Sequence, residues 1–157
     1  MISLLDNTVM SNFAVTESFQ FLRIALGDEV ATSQPALTEL ETGIRIGKLP
    51  DTDFSWLTVW ALNEAEVPYY HRFLRMLNAG EAACLAMALK RECRILTDDR
   101  DARKFANRLQ IPLSGTLGIL IRLVDIRFLK LDQADELLAS MIEANYRSPV
   151  TSLIEIT

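Results

Sequence analysis

The stretch Ile95-Leu96-Thr97-Asp98-Asp99-Arg100-Asp101-Ala102-Arg103-Lys104 passes from an apolar strand to a charged helix with a pair of acids at the joint. Arg94 to Thr97 has the short apolar run of a buried strand, Asp98-Asp99 supplies a turn and a helix cap, and Arg100 to Leu109 continues as a basic amphipathic helix. Upstream, Asn78-Ala79-Gly80 ends one segment, and Glu81 to Glu92 reads as a helix that is apolar nearly all round, from Ala82 to Leu89. Such a helix is central and buried. The same strand-to-helix joint stands at the start of the chain, where Ile2 to Leu5 is a short apolar strand and Asp6-Asn7-Thr8 are capping residues. Strands alternating with helices predict an α/β fold, a three-layer α/β/α sandwich around a mainly parallel sheet.

The remaining elements fit that alternation. A second helix is expected from about Thr16 to Leu26, stopped by Gly27, and Glu29 to Thr32 is read as the second strand. Pro35 suits a first helical turn, and Leu37, Leu40 and Ile44 give the next helix an apolar stripe until Gly47 and Pro50 end it. Phe54 to Leu62 is two-sided: Trp56, Thr58 and Trp60 alternate as in a strand, while the two tryptophans are also one helical turn apart. It is read as a short strand or hairpin arm. Pro68 opens a helix through about Leu77, Ile111 to Leu113 is another strand, and Leu117, Leu120, Ile121, Val124 and Phe128 recur at helical spacing after Gly115. Leu137, Leu138, Met141 and Ile142 mark a last helix, and Ser148 to Thr157 is either a closing strand or a docking tail. The whole of 1–157 is expected to form one domain.

Composition narrows the chemistry. Half of the 157 residues are hydrophobic and 24% are charged, with a net charge of -5, so binding a polyanion by overall positive charge is disfavoured. The basic residues are concentrated: Lys90, Arg91, Arg94, Arg100, Arg103, Lys104 and Arg108 lie together with Glu92, Asp98, Asp99 and Asp101. Cys84 and Cys93 fall in a buried helix and at the approach to a strand, which suits free thiols in a reducing cytoplasm rather than a disulfide framework. His71 is the only histidine, so a triad or a histidine-rich zinc site would depend on that one residue. No apolar run is long enough to span a membrane, and no targeting segment is visible.

Acids stand where elements end. Asp6 follows the first strand, Asp98 and Asp99 follow the strand Arg94 to Thr97, and Glu81 opens the buried helix. Strand carboxyl ends share one edge of a parallel sheet, and ligands bind in the crevice there. Each acid alone is explained as a cap or a favourable partner of a helix dipole. Together they repel, and hard oxygen ligands of this kind suit Mg²⁺ or Mn²⁺. Glu39 lies opposite the stripe Leu37, Leu40 and Ile44 on a helical wheel, so the residues alone place it on a solvated face.

Further motifs carry a resemblance: Leu5-Asp6-Asn7-Thr8-Val9-Met10-Ser11-Asn12, Leu37-Thr38-Glu39-Leu40-Glu41-Thr42-Gly43, Gly80-Glu81-Ala82-Ala83-Cys84-Leu85-Ala86-Met87-Ala88, Ile95 to Lys104, and Gly115-Thr116-Leu117-Gly118-Ile119-Leu120. In that order and spacing the chain resembles PIN-domain proteins, the fold of VapC-type toxin ribonucleases and of PIN-like predicted nucleic-acid-binding proteins, over residues 1 to about 128. The resemblance implies a metal-dependent endoribonuclease whose four acids are Asp6, Glu39, Glu81 and Asp99, with Asp98 as the alternative to Asp99. It moves Glu39 from solvent residue to ligand. It implies Mg²⁺ or Mn²⁺ as cofactor, RNA as substrate, a homodimer, and for a toxin a cognate antitoxin partner. Arg100, Arg103 and Lys104 would hold phosphates, and Asn12 and Thr97 would orient ligands or water; the same basic residues are equally read as a solvated helix face paired to Asp101. The other class of function is a non-catalytic PIN-like module that binds RNA or a protein, with Trp56, Trp60, Tyr69 and Tyr70 as core or as a dimer face. Aspartate-based phosphotransfer of the haloacid-dehalogenase kind is disfavoured, because Thr8 stands where a second Asp is needed.

Overall fold

Leu4 and Leu5 are fully buried on alternate faces of strand β1 (Ser3–Leu5), and every residue of β2 (Val30–Ser33) is buried. Strands covered on both faces belong in the middle of a parallel sheet flanked by helices. The computed structural model describes residues 1–157 and has that arrangement: β1, β2, β3 (Thr58–Trp60), β4 (Arg94–Leu96) and β5 (Leu113–Ser114) pair in the order β3-β2-β1-β4-β5, every pair parallel.

Eight helices connect and cover these strands: α1 (Asn7–Val15), α2 (Gln20–Leu26), α3 (Gln34–Arg45), α4 (Val67–Phe73), α5 (Ala79–Arg91), α6 (Arg100–Arg108), α7 (Thr116–Asp125) and α8 (Leu131–Glu143). Helix α5 is the central one, as its apolar sequence predicts: it lies over β2, β1 and β4 and packs against α3, α4 and α6. Helix α7 packs against α2 and α8, completing a three-layer sandwich. The register places Leu5 opposite both Thr32 and Leu96, and Leu96 opposite Ser114, so the carboxyl ends of β1, β2, β4 and β5 come to one edge.

Several expectations change. The second helix starts at Gln20 rather than Thr16, because Glu17 adopts φ 57° and breaks the chain direction there. The helix after Pro68 ends at Phe73 and turns reach Leu77. Phe54 to Leu62 holds a strand only over Thr58–Trp60; it pairs with β2 in parallel, so it is not a hairpin arm. The fifth strand lies at Leu113–Ser114, later than Ile111 to Leu113. Helix α7 stops before Phe128, since Arg127 has φ 61°, and the Phe128 ring packs on Phe21 at 5.0 Å.

Three of the four singled-out aromatic residues have partners within the fold. Trp60 stacks under the Arg91 guanidinium at 4.4 Å, Trp56 lies against Phe19 at 5.5 Å, and Tyr69 against Phe73 at 6.4 Å. The C-terminal segment is a docking tail and not a strand. Its short 3-10 turn, Leu153–Glu155, buries Leu153 in the common core, and Asp135 of α8 accepts bonds from the Ser152 hydroxyl and the Leu153 amide at 2.9 and 2.7 Å. No helix is long and apolar enough to cross a membrane.

Candidate functional site

At the carboxyl edge of the sheet, Asp6 is the first acid. It caps α1, with Oδ1 accepting the Asn7 amide at 2.7 Å, and Oδ2 accepts the Thr97 hydroxyl at 2.8 Å and the Thr8 hydroxyl at 3.0 Å. It is 1% exposed, and burial pushes its carboxyl up to about 6 against those hydrogen bonds. Thr97 is thus a fastener between β1 and β4, since its hydroxyl also accepts the Asp99 amide at 3.1 Å.

The Asp98-Asp99 pair divides its labour. Both oxygens of Asp98 are taken: Oδ1 accepts the Thr116 amide at 2.9 Å, and Oδ2 accepts the Asn12 side-chain amide at 3.0 Å and the Thr116 hydroxyl. Asp98 therefore ties β4 to α1 and caps α7 from outside. Asp99 caps α6 through Oδ2, which accepts the Ala102 amide at 2.8 Å, and its Oδ1 has no protein partner. Asn12 serves Asp98 directly, and Arg103 donates to the carbonyls of Thr97 and Ser114 at 2.7 and 3.3 Å. Of the basic residues on α6, Arg100 and Lys104 are exposed, and neither they nor Arg103 enter an ion pair with Asp101 or any other acid.

Glu39 and Glu81 meet at the N-terminus of α5. Asn78 caps this helix by accepting the Glu81 amide at 2.9 Å, while its side-chain amide donates to Glu81 Oε1 at 2.8 Å. The Gly80 amide donates to Glu39 Oε1 at 3.0 Å. Gly80 allows this approach: a Cβ there would stand 2.8 Å from Glu39 Oε1 and 3.1 Å from the Ala36 Cα. Glu39 is half-buried and not fully solvated as the helical wheel places it, because α3 is packed on by both α1 and α5. Both glutamates face the positive end of the α5 dipole.

Glu81 senses the other three acids. Burial first, then the charges of Asp6, Asp99 and Glu39, pushes Glu81 up to about 8, and burial raises Glu39 as well. No lysine, arginine or histidine forms an ion pair with any of them. As placed, no three carboxylate, imidazole or thiol groups converge on one point as a ready cage for an ion. The donor chemistry nevertheless suits a hard dication: an uncompensated set of carboxylates in which Asp99 Oδ1, Glu39 Oε2 and Glu81 Oε2 accept no protein hydrogen bond. Cys84 lies beneath them, its thiol against the Leu5 carbonyl and the Ser33 hydroxyl, and burial pushes it up to about 12, so it is an inert core thiol.

Two clefts open beside the acids, and residues outside the sequence reading shape both. One, of about 610 Å³, is lined by Asn7, Asn12, Asp98, Asp99, Tyr146 and Arg147. The other, of about 670 Å³, has Glu39, Lys48 and Asn145 in its wall. Asn145, Tyr146 and Arg147 come from the connection after α8, where Asn145 turns the chain with φ 82°. No period or motif marks these residues; only the path of the tail brings them here. The sequence also passed over the Thr8 and Thr116 hydroxyls, which hold the Asp6 and Asp98 carboxylates, and the Asn78 cap.

A family model described as a PIN domain matches residues 2–156. No curated protein and no solved structure matches the chain.

Proposed function

The chain belongs to the PIN-domain family, a nuclease-type fold, and on that premise we propose that it is a metal-dependent endoribonuclease with Asp6, Glu39, Glu81 and Asp99 as its carboxylate set. The observation that carries this reading is the acid cluster itself: four acids, three at strand-to-helix joints or a helix start and one in mid-α3, buried enough to raise Asp6 and Glu81, with no protein cation paired to them. Evolving a fold around mutual repulsion costs stability unless a bound cation offsets it. Mg²⁺ or Mn²⁺ is the hard ion that such oxygen donors select.

When bound, a divalent ion supplies a lowered pKa for an attacking water and a counter-charge for the phosphate during in-line displacement. The chain's own residues set the stage for that. Thr97 and Thr8 fix the Asp6 carboxylate, Asn78 fixes Glu81, and the Gly80 amide fixes Glu39. Of the acid pair, Asp99 is the one with an open oxygen, Oδ1, whereas Asp98, like Asp6, accepts three protein hydrogen bonds. Arg103 braces the backbone of β4 and β5 beneath the site. No histidine is needed for this chemistry.

The test is cleavage of single-stranded RNA in Mg²⁺ or Mn²⁺ by the native protein and by Asp6→Asn and Asp99→Asn, with circular dichroism as the check on folding. Retained cleavage in both variants would overturn the reading. The finer form of the reading is a toxin whose antitoxin covers the clefts, working in the cytoplasm as a homodimer; co-purification of a small protein encoded beside this gene is the supporting result. A second reading, a PIN-like module that binds RNA or protein without cleaving, is favoured by the absence of a preset three-ligand cage. Calorimetric titration with Mn²⁺ separates the two, since no binding below millimolar concentration belongs to the module.

A further inference from the structure

On the sheet face that carries α2 and α7 lies a cleft of about 490 Å³, and none of the four acids lines it. That volume is within the range of small-molecule sites. Its floor follows from the strand register. Ser3 pairs with Arg94 and Leu96 with Ser114, and partners in a parallel ladder share a face, so these four side chains stand on the same side of β1, β4 and β5. Three of the four are polar, where the inner face of a parallel sheet is ordinarily apolar.

The polar groups of this floor are unspent. Ser3 is 2% exposed, yet its hydroxyl makes no hydrogen bond within the protein. Trp56 Nε1 is the only buried side-chain polar atom that is both unpartnered and sealed from solvent, so the Ser3 hydroxyl keeps an opening, and the opening is the cleft that it lines. A Cβ at Gly118 would collide with the Ser114 hydroxyl, so the glycine is what leaves that hydroxyl its room. Arg94 is half-buried on the floor, and Arg122 stands on the wall one helical turn beyond Gly118; neither guanidinium enters an ion pair. Of the two acids at the rim, Glu29 is held by the Met1 amine at 3.1 Å, which leaves Asp125 against two free guanidiniums. Withdrawing such donors from water costs stability unless a partner takes them up.

Two guanidinium forks and a hydroxyl call for an anion with several acceptor oxygens. A phosphate monoester, with three terminal oxygens and a charge of about -1.5 to -2 near neutrality, uses them all; a carboxylate, with two oxygens and one charge, leaves donors over. Leu26, Ile119 and Ile121 supply an apolar wall beside them. We propose that this cleft is a second site, one that binds a mononucleotide: the phosphate on Arg94, Arg122 and the Ser3 hydroxyl, the base against Leu26, Ile119 and Ile121, and the sugar hydroxyls toward Ser114 and Asp125. The site does not depend on the nuclease reading, since it shares no residue with the acid cluster.

The experiment is calorimetric titration of the full chain, kept metal-free with EDTA, with adenosine monophosphate. Binding tighter than about 1 mM is expected. Arg94→Gln and Arg122→Gln are each expected to weaken it by about tenfold or more, the weight of a charge-assisted hydrogen bond, and Ser3→Ala by about fivefold. Circular dichroism of each variant reports on folding, and Arg122 is exposed, so its variant tests the site even where Arg94→Gln perturbs the fold. Lys104→Gln, which removes an exposed cation outside the cleft, is expected to bind as the native chain does. Adenosine and ribose phosphate, each lacking one part of the ligand, are expected to bind more weakly than the mononucleotide. Ribose phosphate or inorganic phosphate that binds as tightly would overturn the mononucleotide in favour of a bare anion site. Absence of binding at several millimolar, an affinity unchanged by Arg94→Gln and Arg122→Gln, or an equal loss in Lys104→Gln would overturn the site itself.

Discussion

Two regions of this molecule bury carboxylates, and they solve the problem in opposite ways. Glu66, at the start of α4, has a fully buried side chain, and Arg91 at the end of α5 clasps it with bonds of 2.6 and 2.9 Å while stacking on Trp60. Burial would raise Glu66, but the hydrogen bonds from Arg91 and the Asn63 amide, with the guanidinium charge, outweigh it and hold the carboxyl below its ordinary range. At the other end of α5, Glu81 is 5% exposed, has no cation, and is raised by burial and by three further acids. A buried acid with its own arginine is a joint in the fold. Buried acids that have only one another are an arrangement the fold tolerates for a ligand.

The largest expected effect separates the two regions by activity. Asp99→Asn is expected to lower RNA cleavage on the order of 10³-fold, about 4 kcal/mol of barrier, with an unchanged denaturation midpoint. Arg91→Ala is expected to keep the specific activity of the folded fraction and to lose about 3 kcal/mol of stability, because Glu66 is left buried and unpaired. Urea denaturation checks it; a loss below 1 kcal/mol would make the Glu66–Arg91 joint incidental.

Within the acid pair the contrast sharpens. Asp98→Asn keeps the shape but turns an acceptor of the Thr116 amide into a group that must be oriented correctly, and is expected to cost roughly 1–3 kcal/mol of stability. Its cleavage rate is expected to fall far less than that of Asp99→Asn. Equal losses of rate would mean that Asp98 is also a ligand.

The pH response should have opposite signs in the two regions. Glu81 rises from the ordinary glutamate value of 4.5 to about 8, so the metal-free folded state keeps a proton that the unfolded state has lost. Its stabilising share is complete below about pH 4.5 and is lost as pH rises through 8. Asp6, raised from 3.8 to about 6, adds to the same trend at lower pH. Glu66, being lowered, stabilises above 4.5 and loses its share as pH falls. Thermal melts of the metal-free protein between pH 5 and pH 9 are expected to decline toward the alkaline end, and Glu81→Gln is expected to flatten that decline.

The smallest effect is on affinity for the ion. A proton on Glu81 competes with a cation, so Mn²⁺ affinity measured calorimetrically is expected to rise by up to about tenfold per pH unit below 8, with roughly one proton released. A pH-independent affinity would remove Glu81 from the ligand set and leave its raised carboxyl a matter of burial alone.

Much of the carboxyl edge was legible in the chain. The strand-to-helix joints at Asp6 and at Asp98-Asp99, and the apolar helix opened by Glu81, are local patterns of capping and periodicity that remain when the chain folds. Glu39 was not legible from its own helix. A wheel knows one packing face, and α3 has two, so the residue opposite the apolar stripe is half covered where it meets the N-terminus of α5. The C-terminal wall was not legible either, since Tyr146 and Arg147 reach the cleft because Leu153 is buried and Asp135 holds the tail, contacts made across unrelated parts of the sequence.

By itself, then, the sequence determined the alternation of strand and helix, the parallel sheet and the residues that stand at its carboxyl edge, because hydrophobic period and caps act over a few neighbouring positions. Tertiary structure alone decided which oxygen of which acid is free. Asp98 and Asp99 are chemically identical neighbours, and only the approach of Asn12 and Thr116 from distant helices commits the first to the fold and leaves the second with an open oxygen.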